Sequence, residues 1–344
     1  MNTFLVLAAV IPGLWGNVQK ESVLNWETQR RPEILEIFRS DVYGRNAVER
    51  PADIVFTTNE ISFAQGQGHI RVTLFRPQSD KPLPVFVFGD HRRQGEYPNI
   101  PTNRILERGY ALVVFNFNDV DPDEFDNFTN GVHGLFDAKQ CCRAGDAWGT
   151  IGAWAWGFSR VMDWIEQTPG LDAKRVAIVG HSRGGKTTLW AGAQDERFAM
   201  TVSNNSGTGG SRLLNMDLPK SEPIERINRV FPHWFCTNFR KYGTLRPIPF
   251  DSHQLMACVA PRLLYITSAS EDLWAGPEGE FEAARRASEI WKLYERPGLS
   301  ISEFPKVNTP AIDGCVGYHL REGKHELAPY DWERFMDFAD KHMK

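Results

Sequence analysis

Gly180-x-Ser182-x-Gly184 is the pattern in this sequence with the clearest chemistry. It sits at the end of the apolar run Val176–Val179 and at the start of a helical pattern. A turn that sharp needs small flanking residues, and it holds the serine hydroxyl exposed at a helix N-terminus, the geometry of a nucleophile elbow. The competing explanation is a chance Gly/Ser turn, but the strand–turn–helix setting favours catalysis. A serine of ordinary acidity needs a base, and the base needs a carboxylate to orient it. In chains built around such an elbow these follow in the order serine, acid, histidine. Nine histidines compete for the base. His181 lies inside the elbow, and His233 and His253 precede the last strands. His319 and His325 are expected after the final strand, and His325, nearest the closing helix, is the preferred base. For the acid, the run Arg262–Ser268 ends in Ala269-Ser270-Glu271-Asp272-Leu273-Trp274, which offers Asp272 first and Glu271 in reserve.

These residues need a scaffold. The chain alternates short apolar runs with helical patterns. Strands are expected at Ile54–Thr57, Ile70–Phe75, Val85–Phe88, Ala111–Phe115, Arg175–Val179, Ala199–Ser203, Arg262–Ser268 and Ser300–Phe304. Helices are expected over Trp26–Tyr43, Trp148–Gln167, Lys186–Ala193, Glu280–Tyr294 and Tyr330–His342. Such alternation predicts an α/β protein with a mostly parallel sheet covered on both faces. The expected layout is an N-terminal arm and helix over 1–50, packed on one catalytic domain over 51–344. The chain has 344 residues, 39 Lys+Arg against 43 Asp+Glu, and 42% hydrophobic residues, too apolar for disorder. Its near-neutral balance leaves no footprint for nucleic acid or an anionic membrane. Five cysteines at irregular spacing lack a CxxC pair, so no structural zinc site is expected, while one or two disulfides stay open. Phe4–Leu14 reads as a degenerate signal segment or a packed arm.

Gly180-His181-Ser182-Arg183-Gly184-Gly185-Lys186 resembles the glucuronoyl esterases of carbohydrate esterase family 15, bacterial type. The resemblance runs on through Leu189–Phe198, Ser206–Gly210, Phe231-Pro232-His233-Trp234-Phe235 and Glu271–Trp274. It also takes in Arg30–Leu35 and Pro329-Tyr330-Asp331-Trp332, so it spans the chain from about Trp26 to its end. It implies an α/β-hydrolase fold and a serine esterase acting on esters of (4-O-methyl-)glucuronic acid, such as link glucuronoxylan to lignin. It implies no cofactor or metal, a secreted or periplasmic monomer, and a glucuronoxylan or lignin–carbohydrate ester as substrate. By the same resemblance Arg183 stabilises the oxyanion, while Lys186, Glu222 (with Glu225 in reserve) and Trp274 hold the uronate ring. The sequence departs from the family where many members carry the catalytic Glu, just after the strand that follows the elbow. Asn205 stands there, so the acid has to come from Asp272 or Glu271. Two rival readings are another carbohydrate esterase, such as an acetyl-xylan esterase, and a non-catalytic glycan-binding protein on a hydrolase scaffold.

Overall fold

The computed structural model describes residues 22–91, 100–137 and 143–344. The run Phe4–Leu14 and the pair Cys141 and Cys142 lie outside these residues. Cys236, Cys258 and Cys315 are buried free thiols. Among the described residues, no helix is long and apolar enough to cross a membrane.

Nine strands form one sheet among the described residues: β1 (Val55–Phe56), β2 (Glu60–Phe63), β3 (Gly68–Phe75), β4 (Leu83–Asp90), β5 (Ala111–Asn116), β6 (Leu171–His181), β7 (Met200–Asn204), β8 (Leu263–Ala269) and β9 (Val316–Arg321). Their order is β1-β2-β3-β5-β4-β6-β7-β8-β9. The first three pair antiparallel at one edge, and everything from β5 to β9 runs parallel. The parallel strands are near-continuous apolar runs because both faces are covered: every residue of β4 and of β5 is buried.

Register shows which layer each face meets. Phe86 and Phe88 of β4 point toward the closing helix Pro329–Met343, each ring centroid 6.0 Å from that of Trp332. Phe115 of β5 pairs with Gly89, one residue out of phase with Phe88, and so faces the opposite layer. There it meets Phe158 of the helix Thr150–Ile165 at 4.9 Å. That helix is buried all round except at Ser159, because the helix Arg183–Gln194 and the segment around Tyr43 cover what the sheet does not. The helix Arg31–Asp41 contributes Ile34, Leu35 and Phe38 to the same core. This is the α/β-hydrolase arrangement.

Two expected elements need correction. Ser300–Phe304 is not a strand; only its neighbour Leu299 makes an isolated bridge, to Val316. The last strand is instead β9, and His319 lies inside it rather than after it. Its two buried polar residues mimic a loop in sequence, yet both find buried partners. The stretch expected as one helix over Glu280–Tyr294 is an α-helix from Pro277 to Ala287 that tightens into a 3-10 segment over Ser288–Tyr294.

Candidate active site

Ser182 closes β6 and caps the helix Arg183–Gln194 with φ 57° and ψ −122°. For a residue with a side chain this backbone region costs on the order of 1–3 kcal/mol, and it persists only where the surroundings impose it. They do so here. The Ser182 N–H donates to the carbonyl of Asn204 at 2.8 Å, while its own carbonyl accepts from Gly185 and Lys186. A Cβ at Gly180 would lie 2.0 Å from the Gly184 carbonyl, so only glycine lets the helix fold back over the strand.

Opposite the elbow, the loop between β9 and the closing helix presents His325. Its Nδ1 is 2.6 Å from Asp272 Oδ2, and its ring lies against that of His181 at 4.7 Å between centroids. Of the two candidate acids, Asp272 is the one on His325; Glu271 is exposed and engages Gly323 through its backbone. Burial works to raise the Asp272 carboxyl, but the hydrogen bond and charge of His325, with the amide of Asn205, hold it below its ordinary value. Asn205 Nδ2 donates to Asp272 Oδ2 at 2.9 Å, so the amide at 205 lies directly against the carboxylate that meets His325. His181 donates through Nδ1 to Asn204 Oδ1, and burial together with the neighbouring His325 pushes it down to about 3. It is neutral at any working pH.

Arg183 is pinned. Its Nη1 pairs with Asp123, and its guanidinium lies over the Trp234 ring at 4.7 Å and the Phe231 ring at 5.4 Å. Asp123 also accepts from Trp234 Nε1 at 2.8 Å and lies 3.1 Å from His233 Nε2. Burial opposes its ionisation, yet these partners outweigh that and hold it at about 2. Asp123 escaped sequence reading because it lies in an acidic stretch, Asp119–Asp126, that looks like a solvated loop. The Phe231–Phe235 segment carried a family likeness but no role. In the structure it is the bed on which Arg183 rests.

Lys186 differs from expectation. It does not project freely beside the serine: it is 4% exposed, and Nζ donates to the carbonyls of Ser206 and of Thr208, the latter at 2.8 Å. The reason is the loop Ser206–Arg212, which folds over the first turn of the helix. Glu280 anchors the same loop from its other side, accepting from Gly207 N at 2.8 Å and from Ser211 Oγ. Burial lowers Lys186 to about 8, against the pull of Glu222 and Glu280.

Glu222 and Trp274 form one patch. The Glu222 N–H donates to the Trp274 carbonyl at 3.0 Å, and Glu222 Oε1 accepts from Arg226 Nη1 at 3.0 Å. Arg226 in turn covers one face of the Trp274 ring at 4.9 Å. Arg226 was not anticipated; a surface arginine on a short helix carries no sequence signal. Glu225 is exposed and pairs with nothing in this patch. Trp274 is 45% exposed, and every other tryptophan among the described residues is buried. An apolar cavity of about 540 Å³ is lined by Leu218, Leu273, Pro277 and Phe304 among others; Ser182, His325 and Asp272 are not part of its lining.

An elbow serine, a carboxylate-bound histidine and a fixed arginine on this sheet belong to a carboxylic-ester hydrolase. Comparison with known proteins narrows the class. The family model described as "Glucuronyl esterase, fungi" matches residues 60–294. Carbohydrate esterase MZ0003, from an unknown prokaryotic organism, is 34% identical over 94% of this chain and 86% of its own length. A glucuronoyl esterase from Solibacter usitatus superposes with a TM-score of 0.85 at 33% identity, covering 93% of this chain and 94% of that one. The 4-O-methyl-glucuronoyl methylesterase of Hypocrea jecorina is 33% identical over 54% of this chain, which spans 41% of that protein. The chain belongs to the glucuronyl esterase family, carbohydrate esterase family 15.

Proposed function

We propose that the protein hydrolyses esters on the carboxyl group of (4-O-methyl-)glucuronic acid, as in lignin–glucuronoxylan cross-links, through a Ser182–His325–Asp272 triad. The observation that carries this is the 2.6 Å contact of His325 Nδ1 with Asp272, beside an elbow serine of positive φ. With Nδ1–H given to Asp272, the lone pair of Nε2 is the base. Ser182 Oγ attacks the C6 carbonyl, its proton passes to Nε2, and the carbonyl oxygen becomes an oxyanion. The Arg183 N–H at the helix N-terminus and the Arg183 guanidinium stabilise it. The C–O bond to the alcohol then breaks, and His325 returns the proton to that oxygen. Water, deprotonated by His325, releases the uronate from Ser182 by the same steps in reverse.

Trp274 offers its uncovered face to the sugar, and Glu222 accepts from sugar hydroxyls. Lys186 spends two N–H groups on loop carbonyls and has a third for a hydroxyl. No metal or cofactor enters these steps. Such a substrate implies that the protein works in the periplasm or outside the cell.

The test compares methyl 4-O-methyl-glucuronate with acetylated xylan at equal enzyme. Efficient release of methanol with slow release of acetate supports the reading. Brisk deacetylation with negligible uronate ester hydrolysis contradicts it.

A further inference from the structure

The segment Pro329-Tyr330-Asp331-Trp332 and the buried His319 have no part in the chemistry above, yet they sit directly beneath it. Arg321, the last residue of β9, is 2% exposed. Its Nη1 donates to the Glu322 carbonyl at 2.9 Å, and its Nη2 donates to the carbonyls of Lys324 at 2.5 Å and Glu326 at 2.7 Å. Those last two carbonyls flank His325. The remaining donors are used as well: Nε binds Asp331 Oδ2 at 3.0 Å, and Nη1 lies 3.5 Å from Glu326 Oε1.

Asp331 is itself fully buried and fixed. It accepts from Ala328 N at 2.7 Å and lies 2.8 Å from His319 Nε2, whose Nδ1 meets the Tyr265 hydroxyl at 2.9 Å. The loop carries the matching concession. Gly323 has φ +108°, and a Cβ there would lie 3.0 Å from Arg321 Nη1.

We propose that Arg321 is a positioning residue that sets the place of His325, with Asp331 and His319 as its rigid mount. This rests on the reading of His325 as the base. Residues 322–328 have no helix or strand to hold them. A planar guanidinium with five donors in fixed directions can gather three carbonyls of one loop at once, whereas an ammonium cannot reproduce the fork. The Asp272 contact fixes the imidazole from one side only. The carbonyls at 324 and 326 fix the backbone on either side of it. A displacement of about 1 Å at a base can cost on the order of 10²-fold in rate.

The experiment uses full-length Arg321→Lys and Arg321→Ala, assayed on methyl glucuronate and on 4-nitrophenyl acetate. Clamping of the base predicts that kcat falls about 10–100-fold equally on both esters, with KM on the uronate changed by less than about twofold. Guanidinium at tens of millimolar should restore part of the activity of Arg321→Ala and none of that of His325→Ala. Wild-type kcat in Arg321→Lys would overturn the proposal, as would a loss confined to the uronate with raised KM. Unfolding of both variants, read by circular dichroism, would also overturn it by making Arg321 a residue of the fold alone. A wild-type enzyme active on the acetate ester and inert on the uronate would sink the substrate reading while leaving this test intact.

Discussion

Asp123 is the most informative residue to perturb, because it acts on Arg183 without lying on the path of the proton. Replacing it by Asn preserves shape and the acceptor for Trp234 Nε1, and removes the charge. The carboxyl falls from an ordinary 3.8 to about 2 in the folded protein. That difference corresponds to about 2 kcal/mol of stability from its ionised form. The pKa is lowered on folding, so this stability is present above the unfolded pKa near 3.8 and is lost as pH falls through about 2. The side chain is 13% exposed, so solvent screens the interaction little. Asp123→Asn should therefore lose about 2 kcal/mol in urea unfolding at pH 7 and roughly half of that at pH 3. Its kcat should fall roughly tenfold, part of the 10²–10³ that one oxyanion donor supplies, because Arg183 stays in place but is no longer tethered. Urea melts at the two pH values and steady-state hydrolysis of methyl glucuronate measure both effects. Unchanged kcat together with a full loss of stability would refute the link between Asp123 and the oxyanion. A stability loss equal at pH 3 and pH 7 would refute the electrostatic origin.

Other substitutions separate the remaining roles. Asp272→Asn should lower kcat by about 10³–10⁴-fold with little change in KM, while Glu271→Gln stays near wild type; initial rates over a substrate range decide it. Asn205→Asp replaces an amide donor on Asp272 by a like charge, which raises the carboxyls and stabilises the His325 imidazolium. The acidic limb of kcat/KM should then move to higher pH, and a pH–rate profile that stays in place would count against the contact. Trp274→Ala should raise KM for the uronate roughly 3–10-fold and leave 4-nitrophenyl acetate hydrolysis unchanged, if the exposed ring holds sugar.

The nucleophile elbow was legible because its chemistry is local: Gly180 and Ser182 are read from a few residues of one turn. The interior strands were legible too, since β4 and β5 carry the apolar runs Val85–Phe88 and Ala111–Phe115 with no competing pattern. β9 was not legible, because Val316-Gly317-Tyr318-His319-Leu320-Arg321 reads as a polar loop until Asp331 and Tyr265 are known to lie beside its histidine. Order along the chain separated His325 from His319 only by proximity to the closing helix. The structure separates them by burial, placing His319 inside the sheet and His325 at the site. Lys186 misled for a similar reason. Helical spacing placed it on the side of Ser182, but the covering loop Ser206–Arg212 arrives from elsewhere in sequence. Asp123 and Arg226 gain their places from partners distant in sequence, Arg183 and Trp234 for the one and Trp274 for the other.

The central claim is that Ser182 carries the acyl group of a glucuronate ester. Intact-protein mass spectrometry after rapid acid quench of enzyme mixed with a 4-O-methyl-glucuronate ester tests it most directly. The account predicts one 4-O-methyl-glucuronoyl adduct that maps to Ser182. It also predicts that Ser182→Ala shows no adduct and loses more than about 10⁴-fold in turnover. A Ser182→Ala enzyme that turns over within tenfold of wild type, or an adduct that maps elsewhere, would contradict it.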